Sequence, residues 1–339
     1  MTDGELRVGD LVEVRSAAEI LATLDANGRL GGLPFMPEMV RHCGLRFRVS
    51  ARGDRICNTI DYGGSMRLPD AVVLEDLRCD GGGHGGCEAE CRIFWKARWL
   101  RRVSGAQGRP GATGSDAARV ELERRTAAHS RGPAGDAYSC QATELVRASK
   151  PLRLIDPRSY LKVLMGGGLP LGRFVRVMSR AVVQETWRKL GRMPKVHVAG
   201  PQTSQRAEAA LGLQAGDWVR VKSPEEIRLT LSPKGRNRGL WFDREMLAFC
   251  GRIFRVRRRV TRIIDERDGR LLPLKSDCIV LEGVVCSGEN SLGRWFCPRA
   301  IYPYWREAWL TRVGSQEEVQ PAGQPGTIGT KGLSDRWRT

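Results

Sequence analysis

The sequence predicts a mainly β protein: two repeated small-barrel units with short helices, plus a helical connecting segment. Three observations lead there. The first is internal similarity. "GDLVEVRSAAEI" at 9–20 matches "GDWVRVKSPEEI" at 216–227, "MVRHCGLRFRV" at 39–49 matches "MLAFCGRIFRV" at 246–256, and "AVVLEDLRCDG" at 71–81 matches "CIVLEGVVCSG" at 278–288. From Gly9 to Cys79 the offset is constant at 207 (216 − 9), without a gap. After Cys79 the second unit is three residues longer, and "FWKARWLRRV" at 94–103 matches "PYWREAWLTRV" at 303–313. The second observation is that apolar and polar residues alternate, the period of half-buried strands. The third is that turn residues divide these stretches into short pieces.

Gly9-Asp10 is a turn pair, and "LVEVRS" after it alternates as a first strand. Ser16 with Glu19 three residues later has the spacing of a capping box, so a short helix opens in "SAAEILATL". "PEMVRHC" gives another helical turn, with Pro37 at its start. "LRFRVSA", "AVVLEDL" and "RIFWKARWLRRV" read as further strands. So many short elements between residues 9 and 103 suit a small barrel. Trp95 and Trp99 recur at Trp305 and Trp309, which fits a shared core.

The order of a Gly-Asp-x-Val-x-Val strand, a loop with a short helix, and Gly-x-x-Phe-x-Val resembles SH3-like barrels. Examples are the barrel of the nitrile hydratase β subunit and the KOW-type barrels of transcription and ribosomal proteins. Gly9, Asp10, Val12, Val14, Gly44, Phe47 and Val49 carry the resemblance. It implies a fold, and a fold hosts many functions.

Residues 1–103 make the first unit with its cysteine-rich loop, and 104–137, rich in Gly, Ala, Ser and charge, read as a flexible linker. Residues 138–200 form a connecting segment, helical at "PRSYLKVLMGGG" and "LGRFVRVMSRAVVQETWRKLG". Within it, "YSCQATELVRAS" reads as a strand or docking strip. The second unit is 201–313, and 314–339 reads as a disordered tail. Phe174, Val177, Met178, Ala181, Val182 and Leu190 mark one broad face of the long helix, which packs on a barrel or, through 172–190, touches an anionic membrane.

The 339 residues carry a formal net charge of +18. Such a surface favours an anionic partner, with nucleic acid first and an acidic protein next. No run of about 18 uncharged apolar residues marks a membrane span, and the N-terminus has no secretory pattern. The expected location is the cytoplasm. There, close cysteines serve metals or catalysis more often than disulfides.

"CDGGGHGGCEAEC" at 79–91 is the main chemical feature. Cys57, Cys79, Cys87 and Cys91 are four candidate thiolate ligands, with His84 as a spare. Four is the number for a closed structural zinc site, or alternatively an iron–sulfur cluster. Cys87 and Cys91 would face the same way on a helical turn. The second unit offers Cys278, Cys286 and Cys297, and Cys140 can add a ligand to either unit.

No Walker A loop, Gly-x-Ser-x-Gly or His-Glu-x-x-His occurs. No catalytic residue is assigned, and the expected role is a binding scaffold. The alternative is a metal- or thiol-dependent enzyme, or a redox accessory subunit, using the loop 79–91. Arg255, Arg257, Arg258, Arg259 and Arg262 form a basic stretch in "FRVRRRVTRI". On a strand Arg255, Arg257 and Arg259 share one face, and such a row can meet nucleic-acid phosphates.

Overall fold

The computed structural model describes residues 5–61, 64–103, 115–127, 129–132, 135–153, 156–190, 198–203, 210–291 and 293–314. The first third of the expected linker, 104–114, and nearly all of the expected tail, 315–339, lie outside the described residues. The fold is mainly β. Its largest sheet is antiparallel, in the order Arg92–Lys96, Ala71–Arg78, Arg46–Arg52, Leu11–Val14, Leu100–Arg102. The two edge strands follow each other in sequence, joined by one 3-10 turn at Ala97–Trp99. In a flat sheet the edges would stand about 19 Å apart, four spacings of about 4.8 Å. The chain from Lys96 to Leu100 reaches about 14 Å at most. The sheet therefore curls into half a barrel. The expected single strand "RIFWKARWLRRV" is broken because the chain must cross from one edge to the other.

A second sheet runs Ile279–Leu281, Ile253–Arg259, Trp218–Val221, Leu310–Arg312. Its pairings fall 207 positions after those of the first: Leu11↔Arg48 and Val12↔Phe47, then Trp218↔Arg255 and Val219↔Phe254. Ser16 and Glu19 form the capping box of helix Ala17–Leu21, and Ser223 and Glu226 do the same for Pro224–Leu229. Two core contacts recur in both segments. Phe35 meets Trp99 edge-on at 5.2 Å, and Phe242 meets Trp309 at 5.3 Å. Trp99 Nε1 donates to Thr23 Oγ1 at 3.1 Å, and Trp309 Nε1 donates to Thr230 Oγ1 at 2.9 Å.

Two stretches differ from expectation. "YSCQATELVRAS" contains a helix, Gln141–Ala148, whose buried residues Gln141, Glu144, Leu145 and Ala148 have helical spacing. Two of the four are polar, which hides the period in the sequence. Gln141 earns its burial by bonding Phe94 N and O, both at 2.8 Å. The expected linker carries helix Asp116–Thr126, capped by Ser115 and buried at Leu122 and Thr126. Helix Leu171–Lys189 packs Val177 and Ala181 against Trp295, and Phe174 stacks on Phe296 at 5.3 Å. Val182 and Leu190, expected on the same packed face, are exposed instead, as are Val175, Val183 and Trp187.

The two segments also cover each other. The first segment's hairpin, Ile56–Cys57 with Ser65–Arg67, lies on the loop 293–299. Ser65 Oγ donates to Gly293 O at 2.9 Å and Cys57 N to Cys297 Sγ at 3.1 Å. The second segment's hairpin, Arg262–Ile264 with Leu271–Pro273, lies on the loop 79–91. Glu88 N donates to Arg262 O at 3.1 Å and Ile264 N to Cys87 Sγ at 3.4 Å.

Candidate metal centre

Three side chains converge where the first curled sheet meets its glycine-rich loop. Glu38 comes from the 3-10 turn Pro37–His42, Cys79 follows the strand Ala71–Arg78, and His84 sits in the loop itself. One ligand atom from each lies within 4.8 Å of the others. The Cys79 thiol donates to Glu38 Oε1 at 2.7 Å, and His84 Nδ1 is 3.1 Å from the same oxygen. The Glu38 and His84 side chains are each 2% exposed.

The loop closes tightly by backbone bonds. His84 N and Gly86 N both donate to Gly81 O, at 2.9 and 3.0 Å, and Cys79 N donates to Cys91 O at 2.9 Å. Gly81 has φ +74°, and a Cβ there would stand 2.0 Å from Cys87 O. A Cβ at Gly83 would stand 2.8 Å from Glu38 Oε2, so glycine lets the loop close over the carboxylate.

The polar accounting is incomplete. His84 Nδ1 and Glu38 Oε2 are buried and make no hydrogen bond. Each such group costs about 1–3 kcal/mol. A cation among the three residues would satisfy both, and zinc accepts nitrogen, oxygen and sulfur donors together. Burial disfavours the charged form of Glu38, but the His84 imidazole and the Cys79 thiol outweigh it and hold the carboxyl below its usual range. Burial, reinforced by the Glu38 carboxylate, pushes the Cys79 thiol far up. An ion must displace that proton. Cys79 and His84 also line a cavity of about 60 Å³, bounded further by Cys87, Cys91, Cys140 and Arg299.

Of the expected thiolates, Cys79, Cys87 and Cys91 line this one cavity, whereas Cys57 does not. Cys79 belongs to the triad. Cys57 turns with its hairpin toward the second segment and is buried against Cys297. Cys87 accepts from Ile264 N across the segment boundary. Cys87 and Cys91 do not share a helical turn: the chain between them is irregular, and Glu90 has φ +47°. Cys140 begins helix Gln141–Ala148 beside the cavity. Cys278 is 3.5 Å from Arg306 Nη1. Cys286 lies near Glu245, and its thiol is pushed up by burial and by that carboxylate.

His84, expected as a spare, is central here, and Glu38 was missed. A signal for it existed. Glu38 and Glu245 occupy matching positions ("PEM" and "REM"), each followed by a methionine that is buried. A carboxylate kept on a buried turn needs buried partners.

The arginine stretch is largely occupied internally. A bulge between Val256 and Arg258 interrupts the alternation. Arg257 Nη2 pairs with Glu90 at 2.8 Å, Arg258 Nε with Glu90 at 3.2 Å, and Arg259 with Glu307. Arg255 bonds Gly216 O at 3.2 Å. Arg262 is exposed beside Gly86.

Among the described residues, no helix is long and apolar enough to cross a membrane. Comparison of the chain with protein-family models, with curated proteins and with solved structures finds no match.

Proposed function

We propose that this protein is a non-catalytic binding scaffold that carries one structural zinc ion at Glu38, Cys79 and His84, with the fourth ligand such a site needs supplied by one of the cysteines lining the adjoining cavity, Cys87, Cys91 or Cys140. The observation that carries this reading is the pair of buried atoms without hydrogen bonds, His84 Nδ1 and Glu38 Oε2, facing a thiol. The donor set favours zinc over an iron–sulfur cluster, which takes four thiolates as a rule. A structural role fits better than a catalytic one, because the adjoining cavity of about 60 Å³ is far below the roughly 300 Å³ at which substrate sites begin.

The scaffold in this reading is a tandem of SH3-like units. Its support is the constant offset of strand registers, capping boxes and the Phe-Trp-Thr contacts. The partner is anionic, nucleic acid or an acidic protein, on the strength of the net charge of +18. Arg255 and Arg262 are the members of the basic stretch with no carboxylate pair described above, so they would contribute most.

Metal analysis of the full-length protein, purified without chelator, tests the central claim. About one equivalent of zinc is expected, as structural sites hold zinc tightly. Protein with less than about a tenth of an equivalent of any metal, at such affinities, would end the reading.

A further inference from the structure

The apolar side chains left in water are concentrated in one place. Among the described residues twelve large apolar side chains are exposed, and eight of them fall between Leu161 and Leu190. Helix Leu171–Lys189 carries most of these. At about 3.6 residues per turn, Leu171, Val175 and Val182 share one line along it, and Val183 and Trp187 share the next. The opposite side of the helix is already used, since Val177 and Ala181 pack on Trp295 and Phe174 stacks on Phe296. The outer stripe is therefore surplus to the helix's own packing. Single exposed apolar residues are ordinary, but a contiguous patch marks a contact surface. Charge says which contact. Arg176, Arg180 and Lys189 are exposed on the same helix, and Arg158 and Lys162 on the helix before it, Pro157–Met165. Among the described residues none of the five has an ion-pair partner. The one acid of the longer helix, Glu185, is half-buried. The complement of this face is anionic and apolar together. A second copy does not fit, because a twofold contact would set the arginines against their own kind. Nucleic acid matches the charge but gains nothing from a row of valines. An anionic bilayer matches both, with acyl chains for the stripe and headgroups for the arginines, and tryptophan favours that boundary.

We propose that the outer face of helix Leu171–Lys189 docks on an anionic phospholipid bilayer, with the helix lying along the interface and not across it. Val175 and Val182 enter the acyl boundary, Arg176 and Arg180 meet lipid phosphates, and Trp187 sits at the level of the headgroups. The face shares no residue with the triad, so it stands or falls independently of the metal.

The test uses the full-length protein. It is spun down with sucrose-loaded vesicles of phosphatidylcholine, either alone or with about one third phosphatidylserine, since basic residues gain only against an anionic leaflet. Expected is sedimentation with the anionic vesicles alone, weakened by added salt. Arg176→Ser with Arg180→Ser should lower the partition coefficient about 25-fold, about fivefold per arginine. Val182→Ser with Trp187→Ser should lower it by at least about tenfold. Both pairs face solvent, so the melting temperature should not move. Val120→Ser, exposed on helix Asp116–Thr126, should leave binding unchanged. Failure of the unsubstituted protein to sediment with the anionic vesicles overturns the proposal. So does binding that Arg255→Ser with Arg262→Ser abolishes while the helix variants keep it, because general charge would then be the cause. A dimer in the analytical ultracentrifuge that Trp187→Ser returns to monomer would give the face to a second copy and overturn the proposal as well.

Discussion

Glu38 and Glu245 occupy matching turns, yet their surroundings are opposites. Glu245 is saturated by its own loop. Oε2 accepts from Ser287 N at 3.1 Å and Ser287 Oγ at 2.7 Å, and Oε1 accepts from Asn290 N at 2.7 Å and Ser291 Oγ at 3.1 Å. Glu38 receives the Cys79 thiol and the approach of His84, and its second oxygen has no hydrogen bond. His84 stands 207 positions before Ser291. The difference teaches how one loop geometry can be closed in two ways. Hydroxyls and amides complete the carboxylate in one segment. In the other an imidazole replaces the hydroxyl, and the polar atoms await an ion.

The largest expected effect follows from removing a ligand. His84→Ala and Glu38→Gln should each lower bound metal to background and forfeit much of the roughly 10 kcal/mol of apparent binding energy of a structural zinc. Glu245→Gln should leave the metal in place and cost about 1–3 kcal/mol, since an amide cannot accept from all four donors. Elemental analysis with thermal melts checks both. Metal loss in Glu245→Gln, or its retention in His84→Ala, would break the comparison.

Glycine substitutions come next. Gly81→Ala meets Cys87 O at 2.0 Å, whereas Gly288→Ala meets Cys297 N and O at 2.8 Å, and both have positive φ. Both should be destabilised by more than about 1 kcal/mol. Gly81→Ala should be the worse of the two and should also weaken metal binding. Equal denaturation midpoints for the two variants would contradict the closer packing of the first loop.

The pH dependence of zinc affinity is a smaller effect. In the metal-free protein the Cys79 thiol is raised and stays protonated near neutrality, whereas Glu38 is lowered and already ionised. Binding therefore releases the Cys79 proton. Affinity should rise about tenfold per pH unit between roughly pH 7 and 8.5, or about 1.4 kcal/mol per unit. A competition titration with a chromophoric chelator measures this, and a flat profile would remove Cys79 from the ligand set.

The smallest effect probes where the segments agree. Thr23→Val and Thr230→Val each leave a buried indole N–H without its acceptor. Each should cost about 1–2 kcal/mol, and the two costs should lie within roughly 0.5 kcal/mol of each other. Urea melts provide the values, and a clear inequality would show that the two cores are packed differently.

Much of this was legible in the sequence, because capping boxes and strand alternation are local. Ser16 with Glu19 and Val12 with Val14 needed no distant information. Cys79 and His84 were visible for the same reason, lying five positions apart in one loop. The contact of Cys57 with Cys297 was not legible, because its hairpin reaches into the other segment and linear spacing carries no trace of that. Glu38 was passed over because a lone acid on a helical turn ordinarily faces water. Helix Gln141–Ala148 was hidden by Gln141 and Glu144 on its buried face.

The exchanged hairpins impose an order on biosynthesis. The loop 79–91 leaves the ribosome long before its cover does, since Leu271 follows Cys87 by 184 positions (271 − 87). At about 5–20 residues per second, that interval is roughly 10 to 40 s. Throughout it, the cysteines of the loop are open to the cell's thiols and metal carriers. When the second hairpin arrives and Ile264 reaches Cys87, that window shuts.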